Sequence, residues 1–237
     1  MSFYMTFDNG KTNRNFHIEI AERPSIPIAE DNVEYIQVPG KDENLTRKDG
    51  FNNRQLQVQF SFSDKTNLIG YMRPFISQLR NSKSFYFSDD TSIEYRIKNV
   101  IISDIEREVR ILGTFTVTFV IDPFCYYRNV ATIDAKSVPS FTNIGDFYSK
   151  PYIKVTCSGT VTNTQLIVND LVMNFKTITD FIEIDSNIRR CYKGSPSNSL
   201  GDKVEATDYP ILKTGINNIS CSSNITHVYI EPRWRCF

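Results

Sequence analysis

The sequence has few of the residues that mark metal, disulfide or histidine chemistry. Its 237 residues include two histidines, one tryptophan and five cysteines. The cysteines are odd in number and irregularly spaced, without a Cys-x-x-Cys, so a zinc site or a disulfide framework has little support. We interpret them as reduced cysteines that serve as small core hydrophobes.

Signals for secretion, membrane insertion and charge excess are also lacking. The N-terminus has no charged segment followed by an apolar core, and no apolar run approaches the roughly 18–20 residues that span a bilayer. The 27 basic and 27 acidic residues give a formal net charge of zero. Nothing therefore favours a role on nucleic acid, and we expect neither nucleic-acid binding nor membrane insertion.

Catalytic motifs are missing too. His17 and His227 lie in strand-like segments, and the chain has no His-Glu-x-x-His, no Gly-x-Ser-x-Gly, no phosphate loop and no dinucleotide fingerprint. Neighbouring carboxylates such as Asp89 and Asp90 lie in polar turns, which is typical of solvated loops. We predict no catalytic residue, no cofactor and no metal, and therefore no enzyme.

What the chain has in abundance is residues that favour β-strands. It contains 17 Phe and 12 Tyr beside many Val, Ile and Thr. From Gln55 to Phe62 apolar and polar residues alternate, as in a strand with one buried face. Helical spacing of apolar residues recurs once, over about 66–80, where Asp64 or Thr66 would cap the helix. The sequence predicts a mostly β protein with one helix.

One predicted strand is unusually long. Apolar residues fall on the odd positions from Val109 to Ile121, and threonines lie on the opposite face. At about 3.3 Å per residue this segment would span on the order of 40 Å. Two interpretations stay open: the strand bends inside its own domain, with Gly113 as a bulge, or it pairs with another subunit. The candidate inter-subunit residues are Val109, Ile111, Gly113, Phe115, Thr116, Val117, Thr118, Phe119 and Ile121.

The chain is predicted to form two domains. Residues 1–127 hold the helix and the long strand, and residues 128–150 are rich in Ser, Asn and Thr, as in a linker. Residues 151–237 show short strands separated by turn residues, with Asn169-Asp170 as a two-residue hairpin turn. This second pattern is typical of a β-sandwich.

The C-terminal Arg233-Trp234-Arg235 has two interpretations. Trp234 is either the buried anchor of a last strand, which we favour, or an exposed ring that contacts a sugar with help from Arg233 and Arg235.

An ordered series of segments resembles the siphophage distal tail protein family over nearly the whole chain. In the first half it comprises Ile20-Ala21-Glu22-Arg23-Pro24-Ser25-Ile26-Pro27, Val38-Pro39-Gly40-Lys41-Asp42 and the strand from Gln55 to Phe62. In the second half it comprises Pro151 to Val155, Ser158-Gly159, Phe181 to Ser186, Cys191 to Gly194, Asp208 to Asn217 and Ile230 to Arg235.

This resemblance implies an N-terminal tail-tube-like β domain with one helix and a C-terminal galectin-like β-sandwich. It implies a structural adaptor of a phage tail tip, in which six copies close into a ring between the tail tube protein and the tip hub protein. Receptor-binding or baseplate proteins would be further partners. The expected location is the virion tail, after assembly in the host bacterial cytoplasm. The alternative is a carbohydrate-binding module that contacts the host cell wall through the C-terminal domain.

Overall fold

The computed structural model describes residues 3–63, 68–104, 106–109 and 112–237, and it divides into two compact units. One unit comprises residues 1–128 with Phe237, and the other comprises residues 129–236. The described part of the chain is mostly β with one α-helix, which confirms the predicted fold class.

The first unit is built on a mixed-length antiparallel sheet with the strand order β1-β6-β7-β9-β5-β2, and β8 also pairs with β9. Strands β3 and β4 form a separate two-stranded hairpin. The strands are β1 Met5–Phe7, β2 Ile18–Ile20, β3 Asp31–Ile36, β4 Leu45–Phe51, β5 Arg54–Ser63, β6 Ser84–Phe87, β7 Asp90–Ile102, β8 Glu106–Val109 and β9 Leu112–Tyr127.

The core of this unit lies between one sheet face and the helix α1, Leu68–Asn81. The alternating residues predicted from the sequence point into it, because Leu56 and Phe60 of β5 and Val117 and Phe119 of β9 are fully buried. From the helix, Phe75 reaches the centre of the core. Its ring lies 5.2 to 6.2 Å from the rings of Phe7, Phe16, Phe60 and Phe115. The predicted caps, Asp64 and Thr66, lie outside the described residues.

The long strand differs from the prediction at both ends. It begins at Leu112 rather than Val109 and continues to Tyr127. Val109 instead belongs to β8, which folds back antiparallel on the start of β9, and Ile111 lies outside the described residues. No bulge occurs in the pairing of Gly113 with β5, where the register is regular. Irregularities occur instead in two other pairings of β9: with β8 between Arg107, which lies opposite Gly113, and Val109, and with β7 on both sides of Ile97.

The second unit is built on two long strands that form one hairpin, β12 Tyr152–Val168 and β13 Leu171–Asp185. A two-residue turn joins them, as predicted, and Asn169 adopts a left-handed backbone with φ 53°. The other strands are β10 Ile133–Asp134, β11 Ser140–Asn143, β14 Arg190–Lys193, β15 Ser195–Ser199, β16 Val204–Ala206, β17 Gly215–Cys221, β18 Ile225–Glu231 and β19 Arg235–Cys236.

The long hairpin builds two half-sheets from one pair of strands. The first part of β12, from Tyr152 to Cys157, pairs with β18, whereas its last part, from Leu166 to Val168, pairs with β17. The pairing with β13 slips between Thr156 and Thr160, where Gly159 has φ 71°. Buried residues alternate along both halves, so each half-sheet covers the core with one face. This is the arrangement of a β-sandwich.

The predicted linker is part of the second unit. β10 pairs with β18, and β11 pairs with β17, so residues within 128–150 add strands to the sheet. The Ser- and Asn-rich composition misled the sequence interpretation, because polar side chains of this segment form hydrogen bonds within the folded unit. Asn143 is buried, and its amide donates to the carbonyl groups of Phe147 and Leu212.

Candidate assembly surfaces

The long strand β9 has no free edge where pairing with another subunit was considered. On one side β5 pairs with it from Leu112 to Ile121. On the other side β8 pairs with its first residues, and β7 pairs with it from Val117 to Tyr127. Over most of this stretch both edges of β9 are thus paired within the chain, whereas Val109 lies on β8, which pairs with β9 alone among the described strands. The alternative interpretation, an internal strand, is what the structure shows.

The threonine face of β9 does lie on the outer side of the sheet. Thr116 and Thr118 are half-buried and stand opposite Gln59 and Gln57 of β5, whose side chains are exposed. Gln55 continues the same row. These positions carry hydrogen-bonding groups and no charge. The centre of a protein–protein interface is depleted of charged residues in the same way, so this face is suited to burial in an assembly.

Two other strands leave edges that no described strand covers. On β5, the short strand β2 pairs only with Phe60–Phe62, so the stretch from Arg54 to Val58 has no strand beyond it within the described residues. On β7, β6 reaches only to Arg96, which leaves Lys98–Ile102 without a strand partner on its outer side in the same part of the chain. Such edges present backbone donors and acceptors for pairing with another chain.

A cleft of about 530 Å³ opens in the first unit beside the segment that precedes β3. Its inner wall is formed by the buried side chains of Phe87, Tyr95 and Cys125. Its outer rim is apolar and exposed, and it consists of Ile26, Ile28 and Phe237.

Arg54 places a positive charge in the wall of this cleft. Its side chain is almost completely buried and donates to the carbonyl groups of Asp122 and Pro27 and to the thiol of Cys125. Among the described residues, no carboxylate lies within ion-pair distance of its guanidinium. Tyr95 lies beside it, and burial together with the nearby Cys125 raises the pKa of the tyrosine hydroxyl.

The β3–β4 hairpin projects from the same unit. Its base is held by Phe51, whose ring lies 5.1 Å from that of Phe124 and 5.5 Å from that of Phe237. Toward the other end its residues are nearly all exposed, including Tyr35 and Leu45. The hairpin thus presents apolar side chains to solvent without a core of its own.

In the second unit, the structure buries two of the three residues considered for sugar contact, Trp234 and Arg235. Trp234 is 3% exposed and packs beside Phe141, so its ring has no face free for a sugar. Arg235 is also buried, where it donates to the carbonyl of Tyr148 and lies over the rings of Tyr148 and Phe147. The sugar-contact interpretation is therefore wrong for these side chains, and the buried anchor is the correct one.

Arg233 forms an ion pair with a carboxylate of its own chain. Its guanidinium donates two hydrogen bonds to Asp185, at 2.9 and 3.1 Å. Burial of Asp185 acts to raise the pKa of its carboxyl group, but Arg233 and the backbone amides of Asn187 and Ile188 outweigh burial and lower that pKa. Alternation of the last strand could have predicted a buried Trp234, but nothing in the sequence pairs Arg233 with a residue 48 positions away.

An aromatic surface is exposed on β18 of the second unit. The rings of His227 and Tyr229 stack at 5.2 Å with an interplanar angle of 13°, and His227 Nδ1 lies 2.7 Å from Asp134. Burial acts to raise the pKa of Asp134, yet the hydrogen bonds of its carboxylate with His227 and with two backbone amides lower it. These exposed side chains could contact a ligand, whereas Trp234 cannot.

In the described part of the chain, no group of residues indicates metal binding or membrane crossing. There, no three His, Cys, Asp or Glu side chains converge to hold a metal ion. None of the five cysteines forms a disulfide bond, and all but Cys221 are buried. None of the described helices is long and apolar enough to cross a membrane.

Two β units in this order, the first with a single helix in its described part, make up a fold that is also known from solved structures of phage proteins. The chain is similar over 98% of its length to the Dit protein of phage SPP1, a hub adsorption apparatus protein of phages that infect Gram-positive bacteria, with a TM-score of 0.67 and 16% identity across 99% of that chain. It is also similar over 97% of its length to a chain of the phage P2 baseplate in its activated conformation with calcium, with a TM-score of 0.52 and 10% identity across 96% of that chain.

These likenesses confirm the resemblance to distal tail proteins at the level of the fold. At the level of sequence, no protein-family model matches the chain, and no curated protein matches it either.

Proposed function

We propose that this chain is a structural component of a phage tail tip, in the hub or baseplate that carries the adsorption apparatus. The observation that carries the proposal is the likeness in fold to the SPP1 Dit protein over nearly the full length of both chains. Because both units match in one alignment, the likeness reaches beyond a single common β domain. Fold alone does not imply function, so the proposal needs its own test.

The proposed assembly is a closed ring of six copies. Its support is the pair of edges in the first unit that no described strand covers, on β5 between Arg54 and Val58 and on β7 between Lys98 and Ile102. The two edges differ, so an edge of one copy would meet the other edge of the next. A contact between unlike surfaces repeats head to tail and closes into a ring when the rotation fits.

In this role one side of the ring would contact the tail tube protein and the other the tip hub protein, and the second unit would offer a surface to receptor-binding or baseplate proteins. The protein would act in the virion tail after assembly in the cytoplasm of the host bacterium. No turnover is required of it. Arg233 is paired with Asp185, and Trp234 is buried. Side chains of these types can bind ligands, but here they stabilise the fold, which supports a structural role.

Native mass spectrometry of the full chain tests the ring, with electron microscopy of the same sample. We expect a species of six copies that appears as a ring. Ile101, an exposed side chain on the β7 edge, gives the matched test: Ile101→Asp should dissociate the ring, while Ile144→Asp, at a similarly exposed isoleucine of the second unit, should not. A wild-type chain that stays monomeric up to about 100 µM would contradict the self-assembled ring, since stable interfaces saturate well below that concentration.

The alternative function, carbohydrate binding by the second unit, now depends on the exposed Tyr229 and His227 rather than on Trp234. A glycan array with the wild-type chain and with Tyr229→Ala tests it. Binding that Tyr229→Ala removes would support the alternative, and absence of binding by the wild type would reject it.

A further inference from the structure

The strand β11 lies at an edge of the second unit. Among the described strands it pairs with β17 alone. The carbonyl of Pro139 accepts a hydrogen bond from the Ile219 amide, so the odd-numbered residues of β11 turn their backbone groups toward β17. The N–H and C=O groups of Ser140 and Thr142 therefore point away from the sheet, and no described residue bonds to them. An edge of this kind is able to pair with another strand.

Exposed apolar side chains lie at both ends of this edge. Val138, just before the strand, is 48% exposed, and Ile144, just after it, is 58% exposed. Because Val138 precedes a proline, its backbone is held extended and continues the direction of the strand. Pro139 does not weaken the edge, since its missing N–H is on the side of β17. By alternation, Val138 and Ile144 share one face with Ser140 and Thr142.

The spacing of these groups is symmetric about Phe141. Val138 and Ile144 lie at equal distances along the chain on either side of it, and so do Ser140 and Thr142. When a second copy of β11 aligns antiparallel with Phe141 opposite Phe141, Ser140 meets Thr142 and Val138 meets Ile144. Each contact then occurs twice, as in every two-fold interface. In this register the outward N–H and C=O groups of the two strands lie opposite one another and can exchange hydrogen bonds.

The two ends of the edge carry opposite charges. Lys136 lies in the turn before the strand and Asp146 in the bend after it, and both are exposed. Lys136 donates to the carbonyl of Ser222, and neither Lys136 nor Asp146 forms an ion pair within the described part of the chain. The antiparallel alignment brings the turn of one copy beside the bend of the other. A lysine thus lies near an aspartate at both ends of the pair, which favours this alignment over a parallel one.

From this self-complementary arrangement we infer that two copies of the free chain pair through β11, antiparallel and centred on Phe141. The inference goes beyond the proposed ring and does not rest on it. A contact between identical surfaces joins two copies and is then complete, whereas the ring needs unlike surfaces. The paired segment, Val138 to Ile144, is far smaller than an interface of standard size, about 800 Å² per partner. We therefore expect a pair with a Kd of roughly 100 µM.

Sedimentation velocity measures the pair in the full chain with Ile101→Asp, so that the ring does not add to the signal. We expect a monomer–dimer equilibrium between about 10 µM and 1 mM. Val138→Asp and Ile144→Asp should each raise its Kd at least tenfold, because each places a charge in both apolar contacts. The matched control is Ile188→Asp, since Ile188 is 46% exposed in the same unit and lies outside β11. This control should leave the Kd unchanged, and equal losses from all three variants would overturn the inference.

Charge reversal tests the alignment of the two strands. Lys136→Glu and Asp146→Lys should each raise the Kd several-fold, because each brings like charges together at both ends of the pair. The double variant restores opposite charges and should bind nearly as tightly as the parent chain. Local damage to the turn or the bend would not be repaired in this way. A double variant that binds no more tightly than the single variants contradicts the alignment.

A photo-crosslinking experiment locates the contact. The same chain with p-benzoylphenylalanine at position 144 is irradiated in mixtures of light and isotope-labelled copies. Mixed light–heavy crosslinks to residues 136–140 support the inference, and mixed crosslinks only to other segments overturn it. A chain that stays monomeric up to about 1 mM also overturns it and leaves this edge to a strand of a different protein. These results are independent of the ring, which has its own test in the chain without Ile101→Asp.

Discussion

Arg233 and Asp185 form a bidentate ion pair in which the two terminal guanidinium nitrogens donate to the two oxygens of the carboxylate. Arg233 adopts a left-handed backbone with φ 53°, an uncommon conformation for a residue with a long side chain. The pair links the chain after β18 to the end of β13 in the second unit. Because this ion pair lies inside the unit, Arg233, which is next to the single tryptophan, stabilises the fold.

We expect Arg233→Ala to destabilise the second unit. Removal of the guanidinium leaves Asp185 as a nearly buried carboxylate without its cation, which costs about 2–4 kcal/mol for a pair that is largely shielded from water. Urea unfolding monitored by circular dichroism measures the change.

Arg189 provides the matched control. It also has φ 53° and pairs with a carboxylate, that of Asp208, but both side chains are exposed. Arg189→Ala should leave the unfolding midpoint nearly unchanged, because exposed ion pairs contribute little. Equal losses from the two variants would contradict the assigned role of burial.

The same pair predicts a dependence of stability on pH. The pKa of Asp185 is lowered in the folded chain, so the unfolded chain takes up a proton first as the pH falls below about 4. The stability from this carboxylate is therefore present above that pH and is lost as the pH falls through the folded pKa. We expect the urea midpoint to fall less steeply between about pH 5 and pH 3 in Asp185→Asn than in the wild type. Parallel pH profiles would argue against the assigned shift.

The burial of Trp234 gives a spectroscopic prediction. Since it is the only tryptophan of the chain, fluorescence reports on this position alone. We expect blue-shifted emission and weak quenching by acrylamide in the native protein, with both changing on unfolding. We also expect Trp234→Phe to fold and Trp234→Ala to lose about 3–5 kcal/mol of stability, because truncation leaves a cavity. Strong acrylamide quenching in the native state would place the ring at the surface.

Gly145 is predicted to tolerate no side chain. A Cβ at this position would lie 2.3 Å from the backbone oxygen and 3.1 Å from the backbone nitrogen of Arg235. The backbone cannot rotate away as a flexible side chain does, so Gly145→Ala should cost about 1–3 kcal/mol. Gly201→Ala is the control, since its Cβ would meet only the Ser199 hydroxyl at 3.7 Å. Thermal unfolding compares the two, and an unchanged melting temperature for Gly145→Ala would refute the close approach.

Local patterns in the sequence were sufficient for much of the fold. Alternation predicted which side of β5 is buried, helical spacing predicted α1, and Asn169-Asp170 predicted the turn of the long hairpin. Each of these depends on the period of one element or on the backbone preference of one or two residues. The ordered resemblance to distal tail proteins likewise required only the sequence, and the fold agrees with it.

The tertiary structure decided the relationships between residues that are far apart in the chain. Alternation along Val109 to Ile121 describes two faces of a strand but says nothing of its edges, and only the pairing with β5 and β7 made it internal. The polar composition of residues 128–150 resembles that of a linker. In the structure, two of its segments instead form strands that pair with strands more than 70 residues away. For the same reason Arg233 had no visible partner in the sequence: an ion pair depends on distance in space, and the fold alone brings Asp185 to it.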